Sequence, residues 1–119
     1  MSLALPVAAG PTLARHPNEM DLRRITRALS GRARYRYVTP AVEAVEGGYL
    51  VRSPCCSRGP DPAGGVIDIA RIEWRADPPG WHLLRRDHGA QAWIADSCFA
   101  RLSDLLARLN ADPQRTFWQ

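Results

Sequence analysis

Apolar positions change period along this chain, and each change marks an element. Leu22, Ile25 and Leu29 recur at helical spacing with Ala28 beside them, which predicts a helix over about residues 19–30. Asn18 reads as its N-cap, with Glu19 and Asp21 in the first turn, and Gly31 as its stop. The same winding gathers Arg23, Arg24 and Arg27 on the polar face.

From Ala33 the period becomes two. Tyr35 and Tyr37 point one way and Arg34, Arg36 and Val38 the other, until Pro40 ends or bends the strand. Val42 to Glu46 and Tyr49 to Ser53 flank Gly47-Gly48, a hairpin signal. A long loop, Pro54 to Gly64, follows. In the next strand, Val66 to Arg75, strict alternation puts Val66, Asp68, Ala70, Ile72 and Trp74 on one face. Ile67, Ile69, Arg71, Glu73 and Arg75 fall on the other. Asp77-Pro78-Pro79-Gly80 reads as a turn, Trp81 to Asp87 as a strand, His88 to Gln91 as a turn, and Ala92 to Ala95 as a short strand.

Helical period then returns. Asp96 or Ser97 is the expected cap, Phe99, Leu102, Leu105, Leu106 and Leu109 the apolar stripe, and Asp112-Pro113 the stop. The aromatic tail T-F-W-Q is expected to fold back onto the body. Short connections favour an antiparallel meander. The predicted fold is α+β: one domain over residues 18–119, with an antiparallel sheet of about five strands and an N-terminal and a C-terminal helix packed on it. Residues 1–17 have no period and read as a flexible arm, or as the product of an upstream mis-start.

Composition narrows the class. A chain of 119 residues, 45% apolar, has enough core for one folded domain and is not disordered. No apolar run approaches the ~18 residues that a membrane span needs. The first residues lack a basic leader and Pro6 interrupts their apolar run, so the expected compartment is the cytoplasm, with reduced thiols.

Charge adds a candidate partner. All sixteen basic residues are Arg, and the net charge is +4. Arginine offers phosphate and carboxylate a planar, bidentate donor fork that lysine lacks. Arg34 and Arg36 alternate with tyrosines, a mixture that suits single-stranded nucleic acid, but no nucleic-acid motif accompanies it. The expected partner is therefore nucleic acid or another anionic ligand.

Candidate chemistry lies in the middle of the chain. Cys55 and Cys56 are adjacent, so in an extended segment their side chains point apart, unlike a zinc-binding C-x-x-C pair. Arg52 and Arg58 lie near enough in sequence to stabilise a thiolate at either cysteine. A metal shared with Cys98 and His88 is a weak candidate, and no cofactor is expected. Asp68 interrupts an apolar face, where a buried carboxylate needs a cation or several N–H donors; it reads as either a structural Asp–Arg pair or a carboxylate in a pocket that acts as ligand or base. Arg85-Arg86-Asp87-His88 sits at a strand end, where neighbouring side chains diverge. His82 reads as packed or held by a hydrogen bond, and His16 carries no signal. Ser53 and Ser57 lack a nucleophile-elbow pattern, and there is no P-loop, dinucleotide fingerprint or calcium loop.

The C-terminal half runs Trp81-x-Leu83-x-x-Arg86-Asp87, Trp93, Leu102-x-x-Leu105-Leu106-x-x-Leu109, then Asp112-Pro113-x-x-x-Phe117-Trp118. This pattern resembles a family of small bacterial proteins known as domain of unknown function 3024. R-Y-R-Y-V, S-P-C-C-S-R and G-G-V-I-D-I-A look like a subgroup of it, and the likeness covers about residues 20–118. The resemblance implies a bacterial origin and one compact domain. It carries no activity and no catalytic residue. Members often lack the double cysteine, which counts against chemistry that needs both thiols.

The leading expectation is a small cytosolic binding or regulatory module rather than an enzyme. Arg23, Arg24, Arg27, Arg34, Arg36, Arg58 and Arg86 would hold its anionic partner. One alternative is a thiol enzyme or redox sensor centred on Cys55 or Cys56, with Arg58, Asp68 and His88. Another is a homodimer joined through Phe117 and Trp118.

Overall fold

In the computed structural model of the chain, Asn18 caps the first helix as its position predicts: its side-chain oxygen accepts from the Asp21 N–H at 2.8 Å. Such a cap stabilises a helix by about 1 kcal/mol. The structure describes residues 15–33, 39–54 and 65–118. The predicted strand through Arg34–Val38 and the candidates Cys55, Cys56 and Arg58 lie outside the described residues, as does the arm before Arg15. Helix α1 spans Glu19–Ala28, tightens into one 3₁₀ turn at Leu29–Gly31, and buries Ile25 and Leu29.

Strands β1 (Ala41–Val45) and β2 (Gly48–Pro54) form the predicted hairpin. Its two glycines have different reasons. Gly47 adopts φ +79°, which side chains rarely tolerate, while a Cβ on Gly48 would sit 2.1 Å from the Ile72 carbonyl oxygen of the next strand. Strands β3 (Val66–Ala76), β4 (Pro79–Asp87) and β5 (Ala92–Phe99) continue an antiparallel meander in the order β1-β2-β3-β4-β5.

Two bulges correct the expected faces. Val51 pairs with Ala70 but Arg52 pairs with Asp68, so Ile69 is an extra residue in β3. Ile67, Ile69, Ala70 and Ile72 are all buried, which strict alternation cannot deliver. The bulge shifts the phase by one residue. Asp68 therefore does not share a face with Ala70 and Ile72; it points to the opposite side of the sheet. In β5, Leu83 pairs with Ser97 and Leu84 with Ala95, which leaves Asp96 as the extra residue.

That second bulge also corrects the start of the last helix. β5 runs on through Phe99, so Asp96 and Ser97 are strand residues, and Phe99 ends the strand instead of opening the helical stripe. Helix α2 spans Leu102–Ala111 with Arg101 at its N-cap position and no side-chain cap. Asp96 instead binds Arg108 of α2 bidentately, at 3.0 and 3.1 Å.

One face of the sheet carries the core. Tyr49, Val51, Ala70, Ile72, Trp81 and Leu83 pack with Ile25 of α1, Leu29 of the 3₁₀ turn and the four buried leucines of α2. The tail folds back as expected, with Phe117 and Trp118 each 1% exposed. Asp112 adopts φ 32° at the end of α2, and its carboxylate accepts N–H groups of Thr116, Phe117 and Trp118. Within the single chain the tail aromatics pack into its own core. No helix among the described residues is long and apolar enough to cross a membrane.

Candidate functional site

The bulge at Ile69 sends Asp68 to the face of the sheet away from both helices. There Arg52 stands directly opposite it on β2, and Arg86 approaches from β4. Arg52 Nε lies 3.2 Å from Asp68 Oδ1, and Arg86 Nε lies 3.6 Å from Oδ2. The Arg86 guanidinium sits 5.1 Å from the ring centroid of Trp93, its cross-strand neighbour on β5. Four adjacent strands thus contribute one row: Arg52, Asp68, Arg86, Trp93.

The turn after β4 closes this row into a pocket of about 220 Å³. Asp87 Oδ1 accepts from the Ala90 N–H at 3.0 Å, and Gln91 is held at φ 53°. That backbone conformation costs a non-glycine residue about 1–2 kcal/mol. It leaves His88 and Gln91 lining the pocket beside the charged row, with the exposed Val66 as its apolar side.

Among the described residues, the ion pairs of this pocket differ from most of the others. Arg108 grips Asp96 with two hydrogen bonds, and Arg71 and Arg75 both hydrogen-bond Glu73. In the pocket, Arg52 Nε is buried without a hydrogen-bond partner despite its closeness to Asp68, and Arg86 Nε is beyond hydrogen-bond range. Two guanidiniums share one carboxylate, so the cluster carries a net positive charge when His88 is neutral. Burial lowers the His88 pKa from 6.5, Arg86 lowers it further, and Asp68 and Asp87 oppose them.

The sequence candidates separate accordingly. Asp68, Arg86 and His88 meet in this pocket. Arg23, Arg24 and Arg27 do gather on α1, where with Glu19 and Met20 they line a depression of about 420 Å³. Arg23 lies 3.5 Å from Glu19 and Arg24 2.8 Å from Asp21, ordinary pairs of a solvated helix face. Because α1 covers the core face, Arg86 does not join that patch.

Cys98 and His88 do not form a metal pair. Cys98 pairs across the sheet with His82, six residues back along β4 from His88, about 20 Å in an extended strand. Among the described residues no group of three His, Cys, Asp or Glu could hold a metal ion. Cys98 is exposed, with its sulfur 3.5 Å from His82 Nε2. That nitrogen is also 3.0 Å from the Pro78 carbonyl, which can only accept. Nε2 therefore carries the ring proton and cannot take one from the thiol, as the packed, hydrogen-bonded reading of His82 expects.

Two contributions were invisible in the sequence. Arg52 becomes the partner of Asp68 only through the register of β2 on β3, across a loop too long to set it. His16, expected to lie in the arm without a role, is packed edge-on to Trp81 with Nδ1 2.9 Å from the Tyr49 hydroxyl. Asn18 N–H donates to that hydroxyl at 3.0 Å, and Asp21 lies 3.6 Å from His16. This network is a structural anchor.

Comparison with curated proteins finds no match, and comparison with solved structures finds none either. One family model, Domain of unknown function (DUF3024), matches residues 13–119, nearly the whole chain, and the chain belongs to that family.

Proposed function

We propose that this protein is a small bacterial, cytoplasmic binding or regulatory module whose anionic ligand occupies the Arg52–Asp68–Arg86–His88 pocket. The observation that supports it most is the contrast among ion pairs. Among the described residues outside the pocket, Arg24, Arg71, Arg75 and Arg108 hydrogen-bond their carboxylate partners, and only the exposed helix-surface pair Arg23–Glu19 does not. Arg52 and Arg86 stand around Asp68 without hydrogen-bonding it, and their charges exceed it. A ligand oxyanion supplies both the missing charge and the missing acceptors. An exposed thiol at Cys98 suits a reducing compartment.

An enzymatic reading has less support. Both oxygens of Asp68 face guanidiniums, an arrangement that holds charge and does not prepare a base. The α1 arginines are a second surface for an anionic polymer such as nucleic acid, and its binding would fall steeply with salt.

The test is a titration of the labelled protein with acetate, sulfate and inorganic phosphate, following arginine Nε–H signals by NMR. Saturable shifts at Arg52 and Arg86, lost in Arg86→Gln, are the expected result. Signals that stay still through millimolar anion, or that move equally at Arg23 and Arg27, overturn the reading.

A further inference from the structure

We propose that the pocket holds a doubly charged tetrahedral oxyanion, the phosphoryl group of a small molecule, and that His88 takes up one proton as it enters. This rests on the anion-binding reading and names the ligand class and the proton that accompanies it.

The arrangement of donors comes first. Arg52 and Arg86 turn Nε toward different oxygens of the same carboxylate. Each guanidinium carries further N–H donors beyond Nε, and Asp68 is the sole ion-pair partner of either among the described residues. Two donor forks on either side of a fixed carboxylate suit an acceptor with several oxygens better than a single carboxylate, which one fork would satisfy.

Charge selects between anions. The groups around His88 are Arg52 from β2, Asp68 from β3, and Arg86 and Asp87 from β4, with uncharged Gln91 in its own turn. Asp87 does not line the pocket; it accepts from the Ala90 N–H within the turn. Among the groups that do line it, with His88 neutral, the two arginines exceed Asp68 by one charge, which a monoanion balances. With His88 protonated the excess is two, which a phosphoryl dianion balances. Burial and Arg86 disfavour the protonated ring. A dianion beside it reverses the effect of Arg86 and favours the imidazolium.

Size limits the rest of the ligand. A cavity of about 220 Å³ has room for about seven waters at ~30 Å³ each. That accommodates a phosphoryl group and a short carbon portion against Val66, which is 59% exposed.

The experiment uses the whole chain and the histidine ring-proton signals in NMR, with His88→Gln assigning the His88 resonance. Sulfate is the dianion probe, because it does not titrate near neutral pH, and acetate is the monoanion control at matched ionic strength. The expected result is a His88 titration midpoint moved to higher pH by sulfate and unmoved by acetate. Sulfate affinity should rise as pH falls, by at most about tenfold per pH unit, the limit for one linked proton. His88→Gln should hold sulfate at the weaker high-pH affinity at every pH.

If sulfate shifts the arginine signals equally at all pH and His88 does not move, the proton inference falls and the anion-binding reading stands. If no anion shifts those signals, both fall. A last pair of ligands, inorganic phosphate and phenyl phosphate, separates free from esterified phosphate. Tighter binding of the ester supports a carbon portion at Val66, and equal binding overturns it.

Discussion

A carboxylate with no solvent exposure must be answered by donors, and Asp112 is answered by three consecutive backbone N–H groups at 2.7–3.0 Å. It reverses the chain and seats Phe117 and Trp118 in the core, where Trp118 Nε1 also donates to the Leu109 carbonyl. Asp112→Ala leaves those N–H groups without their acceptor and should cost about 3 kcal/mol or more by urea denaturation. Asp112→Asn keeps a residue that tolerates left-handed backbone and one acceptor oxygen, so its loss should be smaller. At this scale the sequence is half legible. Asp112-Pro113 announces the helix stop, but nothing local says that the same side chain anchors residues four to six positions on. Asp68 is similar: its need for a cation is readable, while the choice of Arg52 and Arg86 depends on strand register.

The elements were the most legible part. Helical and strand periods locate α1, the β1–β2 hairpin, β3 and β4 closely, because local burial alone sets those periods. Both errors of consequence trace to bulges, which insert one residue and leave no compositional mark. In β3 the bulge reverses the expected face of Asp68, and in β5 it makes a strand residue of the expected helix cap at Asp96. Gly48 shows how tightly the strands are fitted. A methyl group there would meet the Ile72 carbonyl at 2.1 Å, which the backbone can relieve only by parting β2 from β3. Gly48→Ala should therefore lower stability by about 2 kcal/mol or more. Gly47→Ala meets no atom within 4 Å and should cost less, chiefly through its positive φ. Urea midpoints of the two variants check the order.

The whole molecule is held together by groups that respond to acid in the same direction. Burial lowers the His16 pKa below 6.5, with Asp21 opposing, and His88 is lowered as well. The folded state therefore keeps both rings neutral where the unfolded chain binds protons. Their stabilisation is full above the unfolded value of 6.5 and is lost as pH falls through it. Asp96 and Glu73 follow below that range. Burial alone would raise them, but hydrogen bonds from Arg108 and Ser97 to Asp96, and from Arg71 and Arg75 to Glu73, bring them down. Their contribution is present above the ordinary carboxylate range and disappears as pH falls through the lowered values. The urea midpoint should decline between about pH 7.5 and about pH 5.5, where unperturbed histidines titrate. His16→Gln should flatten that decline, and a midpoint constant across the range would contradict the buried His16 anchor. The pocket itself was only partly legible. Its charged residues are visible in the chain, but their meeting requires four strands in register and a turn with Gln91 in left-handed backbone.

The extra residue at Ile69 has a consequence for engineering. Straightening β3 into a regular strand is an obvious route to a more stable protein, since regular ladders pair every backbone group. Here it would rotate the first three residues of the strand by half a turn, carrying Asp68 into the apolar layer and Ile67 out of it. An idealised version of this fold would thus have to surrender either its carboxylate or its core at that end. The irregularity is the condition under which one strand serves two different surfaces.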